Sequence, residues 1–195
     1  MKPIRLVLVI LCFNTIGCED SNELNFFQIR NENVVFVDDD RSVFEQGDYL
    51  WFNIDIPTVQ TDRISEKDID IFKMTRADAT FFGFSLFEAD GDSFTPLRFE
   101  TDEIIIEKGI LNVIDYREPA NTELLGVADF NNGTYGMRAG IPLKSNGQFF
   151  LANSPSGSGG QDMGFNPTNG SNAQIRISTK IRNSDSEGRY HITVN

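Results

Sequence analysis

The chain has 195 residues, and its 17 Lys and Arg stand against 29 Asp and Glu for a formal net charge of −12. That balance argues against nucleic acid and against direct adhesion to anionic lipid headgroups, since both draw their affinity from clustered Lys and Arg. One histidine and two cysteines leave no basis for a multi-His or multi-Cys metal site.

Residues 1–17 carry the three regions of a secretory signal: a cationic start at Lys2 and Arg5, an apolar run from Leu6 to Phe13, and a short stretch ending at Gly17. The run is too short to cross a bilayer, which takes about 20 apolar residues. With the signal in place, Thr15-Ile16-Gly17-Cys18 resembles the bacterial lipobox, whose cysteine becomes the first residue of the mature protein and carries acyl chains. Ile16 and Gly17 fit that pattern. Thr15 departs from it, because the third residue before the cysteine is usually Leu, and ordinary signal peptidase cleavage elsewhere stays open. Several acyl chains at about 0.8 kcal/mol per buried CH2 make a lasting anchor. The run Glu19-Asp20-Ser21-Asn22-Glu23 resembles the surface-export signals of lipoproteins in the Bacteroidota. On composition alone it is a solvated tether. The two resemblances imply an outer-membrane protein anchored through Cys18 and displayed at the cell surface rather than facing the periplasm.

Loss of residues 1–17 removes Lys2 and Arg5, leaving 15 Lys and Arg against 29 acids, a charge of −14. Cys12 leaves with the leader and Cys18 is consumed by acylation, so the folded part has no thiol for a disulfide, a metal or a nucleophile. It must be held by its core. The expected organisation is a tether over 18–25 and a single domain over 26–195.

Short alternating runs between turn-forming clusters, with no sustained helical spacing, predict an all-β antiparallel sandwich or barrel. The clearest run puts Leu50, Phe52, Ile54 and Ile56 on one face and Tyr49, Trp51, Asn53 and Asp55 on the other, with Pro57 as its end. A second puts Phe82, Phe84 and Leu86 inward over 80–88, and Asp90-Gly91-Asp92 then forms a hairpin turn before Phe94, Leu97 and Phe99. Further strands are predicted over 27–30, 33–37, 69–74, 103–107, 110–116, 135–141 and 148–151. Near the end, Ile175, Ile177, Thr179 and Ile181 alternate with Arg176, Ser178, Lys180 and Arg182, and Tyr190, Ile192 and Val194 resume the inward face.

The segments Gln46-Gly47-Asp48-Tyr49-Leu50-Trp51-Phe52 and Gly188-Arg189-Tyr190-His191-Ile192-Thr193-Val194 resemble an early and the last strand of immunoglobulin-like domains found in Bacteroidota lipoproteins. The resemblance implies an immunoglobulin-like sandwich. Some ten strands exceed the minimal seven, which points to an enlarged or jelly-roll-like version. Residues 153–172, with five Gly, four Ser, four Asn and two Pro, are expected to form a loop outside the core, either a flexible excursion or a functional loop.

No catalytic constellation stands out. His191 lies on the outward side of its strand, and abundant acids make a carboxylate pair uninformative. Asp38, Asp39 and Asp40 with Glu45 and Asp48, or Glu88, Asp90 and Asp92, could offer hard oxygen ligands to Ca2+, although neither set has EF-hand spacing and turns favour Asp for backbone reasons. Tyr49 and Trp51 are the sharper feature. Two large aromatics on an outward face need either a covering element or a partner, and they suit a protein anchor or a sugar platform. Arg176, Lys180, Arg182 and Arg189 form an outward basic group able to dock an acidic partner. The expected function is a non-catalytic accessory or binding subunit of an outer-membrane protein assembly. A glycan-binding module of a polysaccharide-uptake system comes second, and a hydrolase third.

Overall fold

A computed structural model describes residues 25–116, 121–153, 161–166 and 171–195. Cys18, the leader and residues 19–24 lie outside the described residues, as does part of the Gly/Ser/Asn-rich segment. In chain order the elements are β1 (Asn25–Arg30), β2 (Val35–Val37), β3 (Val43–Phe44), β4 (Tyr49–Pro57), β5 (Val59–Thr61), β6 (Asp68–Asp70), α1 (Ile71–Thr75), β7 (Ala79–Asp90) and β8 (Ser93–Pro96). There follow β9 (Ile105–Lys108), β10 (Ile110–Tyr116), β11 (Asn121–Asn131), β12 (Thr134–Pro142), β13 (Gly147–Ala152), β14 (Gln161–Phe165), β15 (Ala173–Thr179) and β16 (Tyr190–Val194).

The architecture is all-β, with two main sheets around a shared core. One large curled sheet follows the order β2-β4-β12-β11-β7-β13-β16-β3, with β8, β9 and β10 attached to it, and β1-β15-β14 forms a second sheet. The curl has a visible cause in the length of β7. Its first half, from Ala79 to Phe84, pairs with β11, and its second half, from Ser85 to Ala89, pairs with β13. One strand therefore serves two parts of the sheet that twist apart.

The inward residues expected from alternation are the core. Leu50, Phe52, Ile54 and Ile56 of β4 join Phe82, Phe84 and Leu86 of β7, Ile175 and Ile177 of β15, and Tyr190, Ile192 and Val194 of β16 in one buried cluster. Phe52 and Phe84 stack with ring centroids 4.0 Å apart. Each such side chain contributes about 1.5–3 kcal/mol by leaving water. Tyr135 is fully buried, donates its hydroxyl to the Ala77 carbonyl at 2.9 Å, and has its phenol pushed up to about 12 by burial. The Asp90-Gly91-Asp92 turn forms as expected: Asp90 pairs with Ser93, and Gly91 takes a positive φ of 58° at the first central position.

Four expectations are corrected. The sandwich is not wholly antiparallel, since β1 pairs with β15 and β16 with β3 in parallel. Residues 69–74 are not one strand: the chain turns into α1, where the Asp70 carboxylate accepts the Lys73 N–H at 3.0 Å and Arg76 closes the turn at φ 56°. The segment 153–172 is not excluded from the core, because β14 lies within it and fully buries Met163 and Phe165. On β4, Asn53 faces away from the main core yet is buried. Its cover is part of the candidate site.

A fork in the large sheet sets up that site. At their hairpin end β11 and β12 pair from Asp129 with Gly136 to Asn131 with Thr134, and beyond it they separate. Into the gap run β9, which pairs with β12, and β10, which pairs with β11. Gly109 joins β9 to β10 at φ 69°, and a Cβ there would lie 2.5 Å from the Val127 carbonyl oxygen and 3.0 Å from that of Gly136. Only glycine fits, for reasons of both conformation and space. Gly109→Ala is expected to cost about 2 kcal/mol or more in denaturant unfolding, whereas Gly91→Ala, with φ 58° and nothing near its Cβ, costs about 1 kcal/mol. Equal losses would contradict this account of the fork.

Candidate functional site: an aromatic face and a basic groove

The aromatic face is built on β4 and β12. Antiparallel register sets Tyr49 opposite Pro142, Trp51 opposite Gly140, and Asn53 opposite Arg138, and β9 adds Ile105 beside Gly140. Cross-strand partners share a face, so these side chains point together. Tyr49 is 36% exposed and Ile105 41%. Trp51 is half-buried: its ring lies so close over Gly140 that a Cβ there would be 3.2 Å from the ring, and the Arg138 guanidinium sits 4.6 Å from the ring centroid. The Tyr49 and Trp51 rings are 6.4 Å apart.

Arg138 is fixed from three sides. Its Nη1 donates to Asp38 Oδ2 at 2.5 Å, its Nε donates to Glu107 Oε2 at 2.7 Å, and Nη1 also reaches Asn53 Oδ1 at 3.3 Å. Asn53 Nδ2 in turn donates to Asp38 Oδ1 at 2.6 Å. This closed network satisfies Asn53 and explains why an outward asparagine is buried. The Asp38 hydrogen bond, working against burial and aided by Glu107, raises the Arg138 pKa further above its ordinary value.

The acids considered for calcium are otherwise occupied or apart. Asp38 serves Arg138 and Asn53, while Asp40 Oδ1 accepts from Arg182 Nε at 2.9 Å. The Arg182 guanidinium lies 4.5 Å from the Phe36 ring centroid, which repeats the Arg138 and Trp51 arrangement one strand over. Asp39 sits between them at φ 54°. Asp48 accepts from the Glu45 N–H at 3.1 Å and from Arg41 Nη2 at 2.6 Å, and those bonds hold its carboxyl below the ordinary range. Asp90 and Asp92 flank Gly91 at a separate hairpin. Among the described residues no three His, Cys, Asp or Glu side chains gather as a metal site.

The basic group divides. Arg176 and Lys180 line a groove of about 330 Å³ on the outer face of the second sheet, together with Arg30, Arg63, Glu32 and Asp162. Arg182 belongs to Phe36, and Arg189 lies over Phe94 and Phe150 at 5.3 and 5.0 Å. His191 is exposed as expected, and its Nε2 lies 2.8 Å from Asp185 Oδ2. Burial works to raise the Asp185 pKa, but the Arg189 N–H, the His191 ring and the Glu187 N–H together hold it lowered.

Three contributors escaped the sequence reading. Arg138 occupied an outward position of the predicted strand 135–141, but nothing in the sequence paired it with Trp51. Arg30 and Arg63 are far from Arg176 along the chain and meet it only through the β1 and β15 register and the turn after β5.

No protein-family model matches the chain, and no curated protein matches it in sequence. Among solved structures it is similar to the seventh ScaB type I cohesin from Pseudobacteroides cellulosolvens, over 83% of this chain and 97% of that one, at 10% identity and a TM-score of 0.28. A likeness that slight carries no functional argument.

Trp51 is the chain's single tryptophan, so selectively excited tryptophan emission reports on this face alone. Arg138→Ala should red-shift the emission, raise acrylamide quenching, and cost about 1–2 kcal/mol through the lost cation–π contact and hydrogen bonds. Arg182→Ala, which uncovers Phe36 instead, should leave the emission unchanged. Identical spectra for wild type and Arg138→Ala would refute the stacking.

Proposed function

We propose that this chain is a non-catalytic binding module, held at the outer membrane by acyl chains on Cys18 and displayed at the cell surface, that docks a larger outer-membrane protein through its Tyr49–Trp51 face. The observation behind this reading is the preorganisation of that face. Tyr49 and Ile105 are exposed on strand backbones, and Trp51 is held against a glycine backbone and an arginine that two carboxylates lock in place. Rigid aromatic anchors with few rotamers left to lose are what protein interfaces favour at their centres.

Sugar binding is the weaker reading for this face. A stacking platform needs an open ring face. Trp51 has Arg138 over its ring and Gly140 close against it, and Tyr49 is tilted 36° from Trp51 rather than coplanar.

The test is affinity purification of the acylated chain from detergent-solubilised native membranes. Wild type is expected to bring down a defined membrane-protein partner, and the Tyr49→Ala/Trp51→Ala double variant to lose it while keeping its membrane fractionation and circular dichroism. Truncating central interface aromatics costs about 2 kcal/mol or more each, enough to clear a complex from a washed resin. Recovery of the wild type as a lone monomer would overturn the proposal.

A further inference from the structure

We infer that the groove over the outer face of β1 and β15 is a second, separate site that takes an acidic polypeptide segment, two of whose carboxylates sit on Arg63 and Arg176. The groove concentrates Arg30, Arg63, Arg176 and Lys180 against only Glu32 and Asp162, on a protein whose overall charge is −12. Local sign therefore opposes global sign.

The cations are not equivalent. Arg30 holds Glu32 at 2.6 Å, and Lys180 reaches the same carboxylate at 3.7 Å. The Arg30 hydrogen bond, against some burial and with help from Lys180, keeps the Glu32 pKa low, so this trio is already satisfied. Arg41, Arg138 and Arg182 elsewhere each hold a carboxylate. Arg63 and Arg176 have no ion-pair partner among the described residues. A guanidinium presents paired N–H donors matched to the two oxygens of a carboxylate, so two such forks facing one groove suit a ligand with two carboxylates.

Both forks are positioned by backbone. Parallel register places Arg176 beside Gln28 and Arg30 beside Ser178 on the outer face. Arg63 is carried to the same edge because its N–H donates to the Gln28 carbonyl at 2.8 Å while the Gln28 N–H donates to Asp62 Oδ1 at 3.1 Å. The β1 strand is thus tied to the turn that bears Arg63. A volume of about 330 Å³ lies at the lower end of ligand sites and suits a few residues of extended chain.

A polypeptide fits better than an acidic saccharide. Among the described residues no aromatic side chain lines the groove, and Phe26, on β1, has Arg176 5.3 Å from its ring centroid, so it braces the guanidinium instead of offering a face to a sugar ring. This inference rests on the reading of the chain as a protein-binding module, but it concerns a different surface.

Fluorescence anisotropy on the full chain with labelled hexaglutamate tests it. Wild type should bind hexaglutamate and not hexaglutamine. Arg63→Gln/Arg176→Gln should weaken binding about tenfold or more with an unchanged circular dichroism spectrum, and Lys180→Gln, which removes a cation already facing Glu32, should weaken it less. Three results would overturn the inference: no hexaglutamate binding by folded wild type, equal binding by the double variant, or tighter binding of oligogalacturonate than of hexaglutamate. Tyr49→Ala/Trp51→Ala should leave hexaglutamate binding intact, so failure of the aromatic face to retain a partner is read separately from failure of the groove.

Discussion

A single guanidinium organises the aromatic face proposed as this protein's binding surface. Arg138 lies on β12, and its ion pairs reach the turn after β2 through Asp38 and the inserted strand β9 through Glu107, while its charge lies against the Trp51 ring of β4. Four stretches of chain distant in sequence are thereby held in one geometry. The ion pairs are about one-third exposed on the arginine side, so each is worth little by itself. Their combined effect is positional. They keep Trp51 from rotating into solvent and satisfy the buried Asn53, and an aromatic that is already fixed loses less freedom on binding.

That arrangement depends on the fork beneath it. If β11 and β12 stayed paired along their length, β9 would have no place beside β12, and Glu107 and Ile105 would not reach this face. Gly109 makes the split feasible by joining β9 to β10 where the backbone of Val127 and Gly136 leaves no room for a side chain. The acidic character of the chain has a related structural use. Asp38, Asp40, Asp48 and Glu107 neutralise arginines that brace aromatics or turns, so these four acids serve as internal counterions. The groove around Arg63 and Arg176 differs because its cations outnumber its acids.

The parts legible in the sequence were those governed by local periodicity. Alternation over 48–56, 80–88, 175–182 and 190–194 placed the inward side chains correctly, because each strand buries one face against a shared core. Where composition competed with context, the reading failed. Met163 and Phe165 sat in a run of Gly, Ser and Asn whose local preference is for turns, and pairing with β15 overrode it. Residues 69–74 looked like a strand because Ile69 and Ile71 alternate, yet the Asp70 cap at the next position redirected the chain into a helical turn. The candidate site was half legible. Tyr49, Trp51, Arg176 and Lys180 stood out by side-chain type, whereas Arg138, Arg30 and Arg63 needed strand register, which no single strand encodes.

The central claim is that one rigid face, rather than the surface at large, meets a partner in the membrane. Site-specific incorporation of a photocrosslinking phenylalanine analogue in cells tests it directly, with the analogue placed in turn at Tyr49 and Ile105 on the face and at Phe81, which is 53% exposed on β7. The account predicts a discrete adduct with one membrane protein from positions 49 and 105 and none from 81. Equal labelling from all three positions, or no adduct from any, would contradict it.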